Sequence, residues 1–360
     1  MTNISASPAF DTEFQAAILP RVSRTFALTI PLLPRDLAVT VANAYLLCRI
    51  ADTIEDEPAL GAAEKRHFSR EFIDAVAGYK AGSRFAEELV PLLSAATPQA
   101  ERELVLNAPR IIGLTRRLPV TQRRAMERCV TIMATGMAAF QARSSVNGLR
   151  DQSQMDRYCY FVAGVVGEML TELFCVHSPA VAENRAQLMK LAVSFGQGLQ
   201  MTNILKDLWE DRRRGACWLP REIFSRRGIE LSLLAPDRQP PGLGDAIDDL
   251  VATAHGHLRN ALTYTLLIPP GEAGIRRFCF WAVAMALLTL RNIHRRAAFS
   301  SGKEVKISRP AVKVAGLAAQ VLARTDTGLK IAFALFSSGL SIAVAPKAAP
   351  GPGVAPGCAD

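Results

Sequence analysis

The chain has 360 residues, 49% of them hydrophobic and 21% charged, with a formal net charge of +9. That apolar content supports a sizeable core and excludes a disordered chain, apart from residues 346–360, whose Pro, Gly and Ala read as a loose tail. The basic excess falls in scattered pairs such as Arg116-Arg117 and Arg276-Arg277. It suits anionic substrates or an anionic membrane surface, and without a helix-turn-helix, zinc-finger or RNA-binding signature no nucleic-acid partner is expected.

Seven cysteines lie far apart with no CxxC pair, the pattern of reduced core thiols in a cytoplasmic protein. The opening MTNISASPAFDTEF has neither the basic start nor the apolar stretch of a secretory signal. Residues 331–345 are read as the most apolar stretch. They are shorter than the roughly 20 residues of a membrane span and fit a core helix or a shallow, peripheral membrane contact.

Period-two alternation does not persist anywhere, whereas apolar residues at three- and four-residue spacing predict helices near 36–57, 64–80 and 118–146. Further helices are predicted near 151–176, 182–211, 243–267, 272–298 and 310–325. Pro58 stops the first of these, Pro236, Pro240 and Pro241 mark a loop, and Pro310 opens the last. The expected fold class is all-α, a single helical domain over residues 1–330 followed by a C-terminal apolar segment and tail over 331–360.

Two predicted helices carry the same pattern, D-x-x-E-D: Asp52, Glu55 and Asp56 in one, Asp207, Glu210 and Asp211 in the other. Residues three and four apart share a helix face, so each motif gathers its carboxylates on one side. Such a face repels itself, and it lies late in the helix, where the dipole disfavours negative charge. Tyr45 and Arg49 extend the first polar stripe backwards, and Gln200 and Asn203 extend the second, through otherwise apolar helices. A helix apolar on most sides with one polar line is buried and faces a polar cavity. Two such helices would present up to six carboxylates to one pocket. Oxygen ligands without His or Cys select Mg²⁺ (or Mn²⁺), which bridges carboxylates to phosphates. The implied substrate is a diphosphate, whose departure as pyrophosphate the metal would promote, leaving a carbocation in the cavity.

These motifs, together with Ser23-Arg24-Thr25-Phe26 and the stretch from Tyr158 through Gly164 to Gly167, resemble the squalene/phytoene synthase family over most of residues 20–310. The resemblance implies a single α domain around a deep central cavity. It implies head-to-head condensation of two farnesyl diphosphates through a cyclopropylcarbinyl diphosphate. It also implies Asp52, Glu55, Asp56, Asp207 and Asp211 as metal ligands, and Ser23, Arg24, Arg49, Gln200 and Asn203 at the diphosphates. Tyr158 would assist proton or cation handling, or be a core tyrosine. Gly164 and Gly167 fit either close helix packing or room for a prenyl chain.

Residues 23–34, Phe278-Cys279 and Val305-Lys306-Ile307 resemble the squalene-forming branch, whose members use NADPH. That branch implies contacts to the cofactor from Arg24, Arg49, Lys306 and Arg309. Two positions depart from its pattern, with Ala216 and Ser308 standing where arginines occur. Arg212, Arg213, Arg214 or Arg309 are the candidates to replace them. Relatives making dehydrosqualene, hydroxysqualene or phytoene use the same cation chemistry without that reduction. The apolar lining of the cavity is expected from Phe161, Val162, Val165, Leu170, Phe195 and Leu199. Oligomeric state is left open.

Overall fold

A computed structural model describes residues 8–343 apart from Arg24. Among these residues helices make the whole framework, and the only β pairing is two isolated bridges, Leu149 with Pro220 and Ala235 with Arg238. The helices that shape the interior are α1 (Pro8–Val22), α2 (Arg35–Asp56), α3 (Ala62–Ala77), α4 (Gln99–Leu106), α5 (Ala108–Arg117) and α6 (Val120–Gln141). After them come α7 (Gln152–Cys159), α8 (Val165–His177), α9 (Arg185–Lys206), α10 (Leu208–Arg213), α11 (Leu243–Leu267), α12 (Ala273–Arg295), α13 (Arg309–Leu322) and α14 (Asp326–Phe336). Shorter turns connect them.

Local chemistry explains the ends. Asp151 caps α7 by accepting from the Gln154 amide, Ser308 caps α13 from Ala311, and Thr325 caps α14 from Gly328. Pro310 occupies the first turn of α13, where a missing N–H costs nothing. Between α7 and α8 the chain does not break. It widens into a π-turn over Tyr160–Gly164 and continues, a device frequent at functional sites.

The central helix is α9, with α8 on one side and α11 on the other. Small residues make this possible. A Cβ on Gly167 would lie 2.2 Å from the Ala192 carbonyl oxygen, and one on Gly196 would lie 2.2 Å from that of Ala163. Close packing therefore requires glycine at Gly167, and Gly164, near Val193, sits in the same seam. Two apolar clusters result, one around α2, α6 and α8 and one around α9, α11 and α12, with Val162 and Phe195 packed against both. The functional cavity opens at that border.

The sequence reading runs 182–211 as one helix, but the structure divides it into a short turn, α9 and α10, with Asp207 at the junction. It also names 331–345 as the most apolar stretch. Three other helical stretches, Arg35–Asp56, Gln152–His177 and Ala273–Arg295, are long and apolar enough to cross a membrane. The bundle buries 72%, 50% and 72% of their most apolar windows, so here they serve as core. Of the 331–345 segment, the first six residues finish α14, which crosses residue 330 and buries Leu329, Ala332 and Phe333. Residues 344–360, including the expected loose tail, lie outside the described residues. The six described cysteines are free thiols, five of them buried.

Candidate active site

Two cavities meet inside the bundle. The first, of about 310 Å³, is an apolar chamber lined by α2, the π-turn, α8, α9 and α12, with Phe26, Phe174, Phe195 and Phe278 among its walls. The second, of about 370 Å³, is polar and contains Asp52, Glu55, Asp56, Asp207 and Asp211. Arg49, Asp52, Val162, Gln200 and Asn203 line both, so the polar cavity is the mouth of the chamber. Of the expected apolar lining, Val162, Leu170, Phe195 and Leu199 face the chamber. Phe161 instead packs against α6 at Gly136, and Val165 is sealed in the core.

The two acidic motifs reach the mouth differently. On α2 the helix is unbroken and Asp52, Glu55 and Asp56 all line it. In the second motif Asp207 and Asp211 line it, while Glu210 turns away. Glu210 accepts from the Gly302 amide at 3.3 Å and the Ser301 hydroxyl at 3.5 Å, and pairs with Arg213 at 3.1 Å. Five carboxylates therefore share the mouth, not six. Arg214 joins the two sides by pairing with Asp56 at 3.5 Å.

The carboxylates are short of positive charge. Burial, opposed by Arg49 and reinforced by Asp56, lifts Asp52 to about 7. Its side chain keeps 28% of its surface, directed into the cavity. Burial and the neighbouring Asp207 lift Asp211 to about 7 as well. Burial also raises Glu55, Asp56 and Asp207, with Asp56 adding to the effect on Glu55. The nearby cations are Arg214 at Asp56, Arg49, 3.6 Å from Asp52, Lys206, 3.1 Å from Asp207, and Lys65, which donates to the Glu55 carbonyl. Burial disfavours charge on Arg49, but Asp52 and Glu101 outweigh that and hold it protonated.

A hard divalent ion fits this donor set, since the side chains lining the mouth offer oxygen and no His or Cys, and five of them are carboxylates. Among the described residues no three His, Cys, Asp or Glu side chains converge closely enough to hold an ion unaided. An ion held there would therefore need water and phosphate oxygens to complete its shell, as Mg²⁺ usually does.

Tyr158 lies at the mouth, stacked on Trp218 with ring centroids 4.1 Å apart and planes 8° from parallel. Burial, together with the charges of Glu55 and Asp211, raises its phenol well above the usual range, so it stays neutral. Gln200 and Asn203 project where chamber and mouth meet. Ser23 lines neither cavity; its buried hydroxyl accepts from the Phe26 amide at 3.0 Å and so fixes the turn that carries Phe26 to the chamber. Arg24 lies outside the described residues. Lys306 and Arg309 are exposed and line neither cavity. Of the candidate replacement arginines, Arg212 is tied to the Val146, Ser232 and Leu234 carbonyls and Arg213 pairs with Glu210, leaving Arg214 at the mouth.

Sequence reasoning missed Glu101, which is buried on α4, receives Arg49 and accepts from Thr53. It also missed Lys65, Lys206 and the Trp218 platform. Glu101, Lys65 and Trp218 act through tertiary proximity and no motif announces them, whereas Lys206 stands next to Asp207 in the chain and was legible there.

A squalene/phytoene synthase family model matches residues 19–311. A probable squalene synthase of Neurospora crassa is 29% identical over 343 residues, covering 91% of this chain and 66% of that protein. The squalene synthase of Eremothecium gossypii is 30% identical over 295 residues, covering 79% of this chain and 64% of its own length. The chain thus spans slightly less than two thirds of either relative. A solved complex of TcSQS with the ligand BPH1237 has the same fold, at a TM-score of 0.72 and 24% identity, with 91% of each chain covered. By the extent of the family match, the chain belongs to the squalene/phytoene synthase family.

Proposed function

We propose that this protein is a squalene synthase, joining two farnesyl diphosphates head to head and reducing the product with NADPH. The observation that carries this reading is the continuity of the apolar chamber with a mouth of five carboxylates through Arg49, Asp52, Val162, Gln200 and Asn203. A prenyl diphosphate is apolar along its length and anionic at one end, and this cavity is divided the same way. The naming of similar proteins as squalene synthases supports the choice of substrate.

Asp52, Asp56, Asp207 and Asp211, with Glu55 beside them, would hold Mg²⁺ against the diphosphate. When bound, the ion supplies Lewis acidity that favours departure of pyrophosphate and leaves an allylic cation. Arg49, Gln200 and Asn203 orient the diphosphate end at the chamber entrance. The aromatic walls present π faces to the cation, and the apolar lining keeps out water that would quench it as an alcohol. The second prenyl double bond then attacks, and loss of a proton closes a cyclopropane. In this reading Tyr158, whose phenol stays neutral, would relay that proton to an oxygen of the departed pyrophosphate.

To reach squalene, the cyclopropylcarbinyl diphosphate would ionise in turn, releasing the second pyrophosphate, and NADPH, when bound, would supply the hydride that quenches the rearranged cation. Lys306 and Arg309 line neither cavity, and Arg49, Lys206 and Arg214 are the cations at the mouth that would meet the phosphates of NADPH. That arrangement favours one second reading, the unreduced product dehydrosqualene. Incubation with farnesyl diphosphate and Mg²⁺, with and without NADPH, separates them by product mass. Squalene formed only with NADPH supports the first reading. Dehydrosqualene in both incubations supports the second, and release of no pyrophosphate rejects both.

A further inference from the structure

Exposed apolar side chains are unevenly spread over this protein. Of the fourteen large hydrophobic side chains exposed among the described residues, six lie between residues 314 and 342: Val314, Leu317, Val321, Ile331, Leu335 and Ile342. Each is 54–65% exposed. Val314, Leu317 and Val321 recur at three- and four-residue spacing along α13, and Ile331 and Leu335 along α14, so each helix has an apolar outer stripe.

These stripes are not faces left over from loose packing, because the inner faces are already engaged. α13 buries Ala315, Gly316 and Ala319, and Gly316 sits so near the Trp281 indole of α12 that a Cβ there would lie 2.6 Å from it. α14 buries Leu329, Ala332 and Phe333, and Phe333 stacks on His255 of α11 at 5.8 Å. The fully buried Arg276 of α12 donates to Asp326 at the start of α14 and fixes that end of the helix. With the inner faces committed, the outer apolar residues have no partner within the described chain.

Charge identifies the partner. The described stretch from Lys306 onward carries Lys306, Arg309, Lys313, Arg324 and Lys330, all exposed. Its single acidic residue is Asp326, already paired with Arg276. Apolar stripes flanked by lysine and arginine match the boundary of an anionic bilayer, where apolar side chains enter beneath the headgroups and basic ones meet lipid phosphates. A second copy of this chain would bring the same positive face against itself and be repelled. We propose that the outer faces of α13 and α14 dock this protein on an anionic lipid surface.

The docking face lies one helix from the chamber. α12 lines the chamber with Phe278, Cys279 and Ala282 and carries α13 beside Trp281. An apolar product would therefore be formed next to its sink. The docking inference rests on the surface alone and is tested without substrate.

Full-length protein is sedimented with vesicles of phosphatidylcholine alone or mixed with phosphatidylglycerol. Binding is expected to require phosphatidylglycerol and to weaken as salt rises. L317E/L335E should lower binding at least tenfold, and K313E/K330E by about fivefold or more per lysine, each variant keeping the wild-type circular dichroism and melting profile. Equal binding by L317E/L335E, or no preference for the anionic vesicles, overturns the proposal. So does a dimer seen by light scattering that these substitutions dissolve while vesicle binding is absent. Vesicle binding by a protein that turns over no farnesyl diphosphate would leave docking standing and reject the reaction.

Discussion

On α2 the first acidic motif stays on an unbroken helix, and all three of its carboxylates reach the mouth; at the second, the helix breaks at Asp207 and Glu210 leaves to anchor the Gly302 turn. Equal spacing in sequence thus gives three cavity acids on one side and two on the other. Their support differs as well. The first motif is backed by buried partners, since Glu101 holds Arg49 and Lys65 reaches the Glu55 carbonyl. The second is flanked by more exposed cations, Lys206 and Arg214. A D-x-x-E-D motif therefore specifies where its two aspartates point, while the glutamate follows the local path of the chain.

The largest expected effects test that distinction. D52N and D207N each remove a carboxylate from the mouth and should lower kcat by about 10²–10³, the scale seen when one group stabilising developing charge is lost. E55Q should fall on the same side, with a clear loss of turnover. E210Q should keep kcat within about threefold of wild type, because its carboxylate stands outside the cavity, and should instead cost about 1–2 kcal/mol of stability through weakened bonds to Ser301 and Gly302. Steady-state pyrophosphate release and thermal melts measure both. Equal losses of turnover in E55Q and E210Q would overturn the asymmetry.

Much of this arrangement was legible in the sequence because it is periodic. The stripe Tyr45, Arg49, Asp52, Asp56 and the stripe Gln200, Asn203, Asp207, Asp211 predict one polar line on an apolar helix, and the cavity lies on those lines. The departure of Glu210 was not legible, since it depends on the Gly302 turn some 90 residues away in the chain. Nor was α1 read as a helix, because its apolar residues show almost no helical periodicity. The short α4 was passed over too, and with it Glu101, whose function exists only once α4 meets α2. The π-turn has no periodic signature, since it inserts one residue into an otherwise regular helix.

Glu101 gives the next largest effect and sharpens the contrast in support. It receives the Arg49 guanidinium and also accepts from Thr53, whose hydroxyl is 2.8 Å from the Arg49 carbonyl. E101Q keeps the shape but removes the charge that fixes Arg49 at the entrance. A loss of about tenfold in kcat/KM for the prenyl diphosphate is expected, the scale of supporting groups around a metal site. The loss should fall mainly on KM, and E101D should recover part of it. An E101Q enzyme with unchanged KM would assign the buried pair to folding alone.

The smallest effect joins the two motifs again, because Asp52 and Asp211 both sit near 7 against an ordinary value of 3.8. In the fold they keep protons that the unfolded chain releases near 3.8, so the native state binds more protons between about pH 4 and 7. Their stabilising effect is complete below the unfolded value and is lost as pH rises through 7. His257, which burial lowers to about 4, acts oppositely, since the unfolded chain gains a proton below 6.5 that the fold refuses. Subtracting melts with and without Mg²⁺ and pyrophosphate at each pH cancels the His257 contribution, which lies outside both cavities. The ligand-induced rise in Tm should then be larger at pH 8, where both carboxylates are ionised and ready to share the ion, than at pH 5.5, by about 2–4 °C. D52N should reduce that pH dependence and E210Q should leave it intact, whereas a rise that is flat with pH in the wild type would mean the two acids are already neutralised within the fold.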